Sequence, residues 1–232
     1  MNKKNFINSF YNYGYFIFDI KKKKNVHYLK NFVLKKIKSK MQKLKKLEHT
    51  HNFLKPSQLN NIKMKIYSDI NSNKKFLDEY YKVCKNELEM ICGSEIAMQR
   101  KINLSIQMPQ DDSALLPKHS DVWSGCSPFE VVVWIPLVDC KNTQSMFVYP
   151  QNFKLRNKKK TKKKFVKIKY GQAMIFTHQI VHGNEINKEK NTRWSLNCRF
   201  KSLMSPYGSK DIGETFIPVN ILPATRLGLD YE

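Results

Sequence analysis

The sequence predicts an α+β chain that is mainly β: a double-stranded β-helix (jelly roll) behind a layer of N-terminal helices. Three observations lead there. Residues before about 94 carry apolar side chains at helical spacing, the texture then changes to short β-type runs, and eight such runs fit into about 105 residues. That spacing, with Pro, Gly, Asn and Ser between the runs, is that of a jelly-roll barrel. At 232 residues the chain is long enough for one large β-rich domain with helical additions. We read 1–94 as the helical layer, 95–203 as the barrel and 204–232 as a tail.

Taken in order, Tyr15 to Ile20 reads as a strand and Lys21 to Lys24 as a charged turn. Leu29, Val33, Ile37, Met41 and Leu44 then recur on one face of a helix whose other face is lysine. Pro56 and Ser57 open a second helix. Ser72 is the expected N-cap of a third, with Phe76, Leu77, Tyr80, Tyr81, Cys84, Leu88 and Ile91 on one face and Gly93 past its end. The eight β-type runs are 101–108, 114–121, 129–138, 144–149, 164–169, 172–177, 180–186 and 193–201. The basic run at 156–164 falls between two of them and is expected to form an exposed hairpin loop.

The formal net charge is +23, carried by 37 Lys and only 5 Arg. Proteins that read nucleic acid lean on bidentate Arg contacts, so this skew argues against nucleic acid and for codon bias and a solvated surface. Residues 101–150 hold three Lys against five acidic residues, a net of −2, so the basic surplus lies elsewhere. The five cysteines, Cys84, Cys92, Cys126, Cys140 and Cys198, contain no CxxC pair, which argues against a disulfide framework or zinc ribbon and for a reducing cytoplasm. No apolar run approaches the length of a membrane span, and the N-terminus is not read as a signal peptide.

The chemistry concentrates in three places. His119 and Asp121 form an HxD pair at the end of an expected strand, where i and i+2 share a face. His182 follows 61 residues after Asp121, on a strand that a jelly roll places beside the first. Two His and one carboxylate on one face of an octahedron leave open positions, the arrangement of non-haem iron(II) oxygenases. His178 competes for the third position; Gly183, expected to leave room for a ligand, favours His182. Eleven residues after His182 comes TRWSLNCRF, in which Arg193, Ser195, Asn197 and Arg199 share one strand face and Trp194, Leu196, Cys198 and Phe200 the other. Arg193 with Ser195 could clamp a small dicarboxylate.

Together, PKHSDVWSG, VVVWIPLVD, GQAMIFTHQIVHGN and TRWS resemble the iron(II)/2-oxoglutarate-dependent oxygenases. The likeness is to the phytanoyl-CoA dioxygenase-like branch, and within it to small oxygenases of carbohydrate-biosynthesis gene clusters. It runs from about Gln107 to Lys201, with a weaker echo in YGYFIFDI. The resemblance implies that His119, Asp121 and His182 ligate Fe(II) and that Arg193 and Ser195 bind 2-oxoglutarate, with O2 as the other co-substrate. Around this site, Gln107 is a candidate for a hydrogen bond to 2-oxoglutarate, and Trp123 and Trp134 are candidates for the substrate pocket, with ordinary core packing the alternative for both tryptophans. Asp121 distinguishes the chain from halogenating relatives, which carry a small residue there. One departure is Pro150-Gln151-Asn152-Phe153, where many relatives have a Gly-Ser-His turn.

The expected partner is a small molecule, a carbohydrate, sugar-linked intermediate or acidic conjugate. Two rival readings keep the fold: a cupin-type metal-dependent isomerase or hydrolase, against which the RxS motif argues, and a non-enzymatic basic binding module, which only the net charge supports.

Overall fold

The computed structural model describes residues 3–154, 161–205 and 214–230. Helix α1 (Lys3–Tyr13) leads into β1 (Tyr15–Asp19), followed by α2 (Lys23–Lys38), a 3₁₀ turn at Leu47–Asn52, α3 (Pro56–Asn71) and α4 (Lys74–Cys92). The strands then run β2 (Ile96–Gln99), β3 (Asn103–Gln107), β4 (Val131–Pro136), β5 (Phe147–Tyr149), β6 (Lys164–Phe165), β7 (Gln172–Thr177), β8 (Val181–Gly183), β9 (Arg193–Ser202) and β10 (Phe216–Asn220). Helix α5 (Pro223–Leu229) closes the described chain.

Two antiparallel sheets make the jelly roll. The larger runs β1-β7-β4-β9-β2-β10, with β3 also on β9, and the smaller runs β6-β5-β8. Strand β9, ten residues long, is the spine: along one side it pairs with β4, along the other with β3 and then with β2. Its two faces are unlike. In register with β3 and β4, Arg193 stands opposite Gln107, Ser195 opposite Ser105 and Pro136, and Asn197 opposite Asn103 and Trp134. These polar residues look into the barrel. Trp194, Leu196, Cys198 and Phe200 look the other way and are fully buried.

The helical layer covers that outward face, which is why the first ninety residues are helical and amphipathic. In α2 the buried residues are Val26, Leu29, Val33 and Ile37. Tyr80 of α4 stacks on Phe200 and donates its hydroxyl to the carbonyl of Val133 at 2.7 Å. Trp194 Nε1 donates to Thr50 Oγ1 at 3.1 Å, so the indole's one polar atom is satisfied inside the core. Asn71, at the end of α3, grips the start of β3 with both ends of its amide. Its Nδ2 donates to the Ile102 carbonyl at 3.0 Å and its Oδ1 accepts from the Ile102 amide at 2.7 Å.

Several expectations change. Helix α2 stops at Lys38, so Met41 and Leu44 follow it rather than extend it, although Leu44 is still buried. The N-cap of α4 is Asn73, whose side chain accepts from the Phe76 amide at 2.9 Å, while Ser72 caps the C-terminus of α3. Gly93, at φ 86, does end α4. The run 114–121 is not a strand: it touches the smaller sheet through one bridge, His119 to His182. β2 and β10 are additional, and the tail adds β10 beside β2. Of the basic run at 156–164, residues 156–160 lie outside the described residues; Lys163 pairs with Glu185 and Lys164 begins β6.

The Pro150–Phe153 departure has a packing reason. The amides of Gln151 and Phe153 donate to the carbonyls of Tyr13 and Tyr11, docking this turn on the end of α1. A Cβ at Gly14 would stand 2.5 Å from the Phe153 ring, and Gly14 has φ +76, so this position needs glycine on both counts.

Replacing Asn71 by Ala leaves both Ile102 backbone groups without their side-chain partner. It is expected to cost about 2 kcal/mol in urea unfolding at unchanged m, the range for stranded buried polar groups.

Candidate metal centre and ligand cavity

The HxD pair reaches its site by a different local route from the one its spacing suggests. His119 is held by a reciprocal pair of backbone hydrogen bonds with His182, His119 N to His182 O at 2.9 Å and His182 N to His119 O at 2.8 Å. The chain then leaves extended geometry and Asp121 opens a 3₁₀ turn, Asp121–Ser124. The alternation argument for His119 and Asp121 therefore does not apply, yet the residues converge: ligand atoms of His119, Asp121 and His182 all lie within 4.8 Å of one another. The histidine rings stand 4.3 Å apart, and His182 Nε2 is 4.0 Å from Asp121 Oδ2.

Both imidazoles have their tautomer set by the backbone. His119 Nδ1 lies 2.8 Å from the Pro117 carbonyl and His182 Nδ1 lies 3.1 Å from the Ile180 carbonyl. A carbonyl only accepts, so in each neutral ring Nδ1 carries the proton and Nε2 offers its lone pair, the pattern of metal-ligating histidine. Burial pulls His182 below its ordinary pKa, partly offset by Asp121, which favours the neutral form that binds metal. Burial also pushes Asp121 up, but His178, His182 and Arg199 together outweigh it and hold the carboxyl below its usual value. Arg199 Nη2 sits 3.0 Å from Asp121 Oδ1, leaving Oδ2 facing His182.

Next to this cluster is a cavity of about 100 Å³ whose lining includes His182, Arg193, Ser195, Trp134, Phe176 and Asn184. Arg193 is buried, and its guanidinium donates to the Gln144 carbonyl at 3.4 Å and Ser105 Oγ at 3.1 Å. Among the described residues no carboxylate comes within ion-pair distance of it. Burial draws this guanidinium below its ordinary pKa. Arg193 Nε and Ser195 Oγ, both buried, find no hydrogen-bond partner among the described residues. A buried cation and a hydroxyl left short of acceptors suit a small anion with carboxylate oxygens.

The other candidates divide. Trp134 lines the cavity beside Arg193 and Ser195 and is buried. Trp123 is 65% exposed on the turn that carries Asp121. Gln107 stands in register with Arg193, but its Nε2 donates to the Glu185 carbonyl and it is not part of the cavity lining. Gly183 gives its room to protein rather than ligand, since a Cβ there would lie 2.8 Å from the Leu116 carbonyl oxygen and 3.0 Å from that of Pro117. His178 is fully buried, with Nε2 4.0 Å from Asp121 Oδ2, the same oxygen that His182 Nε2 approaches.

Two contributors escaped the sequence reading. Asn184, present in the HGN motif, accepts from the Leu116 amide through Oδ1 and donates to the Ala114 carbonyl at 3.0 Å, clamping the loop that carries His119. Arg199 was placed on the polar face of β9, but its pairing with Asp121, 78 residues away, leaves no local signal.

No family model and no curated protein matches the chain. Solved structures do, at low identity. A non-haem monooxygenase described as a ThoJ–nickel complex is 14% identical with a TM-score of 0.57, the match covering 94% of this chain and 84% of that one. AviO1 from Streptomyces viridochromogenes Tue57 is 12% identical with a TM-score of 0.62, covering 90% and 98%. The non-haem α-ketoglutarate-dependent carbocyclase SnoK from nogalamycin biosynthesis is 12% identical with a TM-score of 0.56, covering 95% and 97%.

The depressed pKa of His182 fixes the sign of an acid effect. The folded state holds this proton less tightly than the unfolded chain, so the stability contributed is complete above the ordinary value of 6.5 and is lost as pH falls below it. Thermal melts of metal-free protein are expected to show a falling Tm between about pH 7 and pH 5, with a flatter slope in His182→Gln.

Proposed function

We propose that this chain, which has the fold shared by non-haem iron oxygenases and related enzymes, is an iron(II)- and 2-oxoglutarate-dependent dioxygenase acting on a small molecule. The observation that carries the reading is Arg193: a buried guanidinium beside Ser195, without a carboxylate partner among the described residues, in a cavity that also exposes His182. His119, Asp121 and His182 would hold the iron, and Arg193 with Ser195 the distal carboxylate of 2-oxoglutarate. When bound, this pair supplies oxygen activation coupled to loss of carbon dioxide, leaving succinate.

The chain's own part is positional and electrostatic. The backbone acceptors on the two histidine Nδ1 atoms keep both Nε2 atoms free of protons and aimed inward. Arg199 occupies Asp121 Oδ1 and so presents the other oxygen to the metal. Arg193 draws in a dianion and fixes its orientation, and Trp134 and Phe176 exclude water around it. The dicarboxylate clamp favours this reading over a cupin-type isomerase or hydrolase, which has no use for one.

For the substrate we infer a carbohydrate or sugar-linked intermediate, with hydroxylation as the outcome. Support comes from the sequence resemblance and from Trp123, an exposed aromatic surface on the turn that carries Asp121, suited to stack on a sugar face. Arg199, partly exposed, could meet an acidic group on a conjugate. No described cysteines are disulfide-bonded, consistent with a cytoplasmic setting. No helix among the described residues is long and apolar enough to cross a membrane.

Anaerobic titration with iron(II) and 2-oxoglutarate, followed by oxygen, is expected to yield succinate, with the yield rising when a suitable sugar is present. Failure to bind 2-oxoglutarate at millimolar concentration sinks the reading. Arg193→Ala should weaken 2-oxoglutarate binding by about 1.5–3 kcal/mol and leave iron binding nearly unchanged. An equal loss of both makes the arginine structural.

A further inference from the structure

A second group of metal-ligating side chains lies behind Asp121, and the reading above does not use it. Cys126, Glu130 and His178 are all buried, with ligand atoms within 4.8 Å of one another. His178 and Glu130 expose 0% and 1% of their side chains. We propose that these three residues form a second metal site, for a zinc-type divalent cation, separate from the His119–Asp121–His182 cluster.

Local folding brings the three together. After Asp121 the chain makes a tight turn in which the Cys126 amide donates to the Asp121 carbonyl at 3.3 Å and Gly125 takes φ 79. A second turn follows, the Glu130 amide donating to the Ser127 carbonyl at 3.2 Å and the Phe129 amide to Ser127 Oγ at 3.2 Å. These turns bring Cys126 and Glu130 to His178, the residue that follows β7. That residue is anchored through its backbone: the His178 carbonyl accepts from Ser120 Oγ at 2.8 Å, and the His178 amide donates to the Glu130 carbonyl at 3.4 Å.

The geometry and chemistry fit zinc. His178 Nδ1 stands 3.4 Å from Glu130 Oε2. With zinc–nitrogen and zinc–oxygen bonds near 2.1 Å, a tetrahedral edge is about 3.4 Å. One thiolate and one carboxylate cancel a dication, so the occupied site is neutral, which suits a place where an isolated carboxylate costs several kcal/mol. Thiolate in the donor set favours zinc there, while two imidazoles and a carboxylate with open positions suit iron(II). Metal on Nδ1 leaves the His178 proton on Nε2, the nitrogen that faces Asp121 Oδ2 at 4.0 Å. The second ion would thereby orient a ligand of the first.

Cobalt(II) separates the two sites, because a cysteine thiolate is present only in the second. Anaerobic titration of the metal-depleted full-length chain with cobalt(II) is expected to bind two equivalents and to develop a thiolate-to-cobalt charge-transfer band in the near ultraviolet. Asp121→Ala should remove the first site and keep the band. Cys126→Ser should abolish the band and bind one equivalent fewer. Should Cys126→Ser fail to fold by circular dichroism, Glu130→Gln takes its place, with an expected tenfold or greater loss of affinity in the band's titration. A wild-type chain that binds cobalt without a charge-transfer band overturns the proposal, as does a band that survives in folded Cys126→Ser. A band that persists while 2-oxoglutarate fails to bind overturns the oxygenase reading alone.

Discussion

Strand β9 carries arginine, serine and asparagine on one face and tryptophan, leucine and phenylalanine on the other, and each face needs a different cover. The apolar face requires a dry layer, which α4 and the Leu47–Asn52 turn supply through residues such as Tyr80 and Thr50, with α2 packed behind α4. The polar face requires hydrogen-bonding partners, which the barrel interior supplies in part through the Gln144 carbonyl and Ser105. Because β9 pairs with β4 on one side and with β3 and β2 on the other, its register also sets which residues of those strands face inward. Helical layer, barrel and cavity thus answer to one ten-residue strand.

Charge balance follows from the same strand. Its two inward arginines do different work: Arg193 stands away from carboxylates and Arg199 stands against one. Under the proposed function, a metal dication on His119, Asp121 and His182 would leave this region with surplus positive charge, which a bound dianion beside Arg193 would offset. Mutual compensation of this kind would lower the cost of burying the Arg193 guanidinium.

What was legible in the sequence was whatever periodicity and short-range spacing encode. The two faces of β9 follow from alternation, and the buried side of α2 from recurrence at Leu29, Val33 and Ile37. The convergence of His119, Asp121 and His182 was legible as a motif but not as mechanics. Strand alternation was the wrong reason, since a single bridge and a 3₁₀ turn place the pair. β2 and β10 were missed because such short segments get their pairing from partners about a hundred residues away or more. Arg199 with Asp121, and Asn184 with the 114–116 loop, are also long-range contacts that no local pattern announces.

The reciprocal backbone bonds between His119 and His182 would give a metal bound there a further role. The two histidines close a loop of more than sixty residues that includes β4 to β7, and the seam they form is only one bridge wide. Closing a long loop costs entropy, which the bridge offsets only together with neighbouring contacts such as those of Asn184 with Leu116 and Ala114. Under the proposed function, an ion shared by both rings would clasp the barrel's mouth as well as serve as the reaction centre, and its occupancy would contribute to mechanical integrity. Loss of metal would be felt first as fraying at this seam, far from the helices that keep the opposite face of the sheet closed.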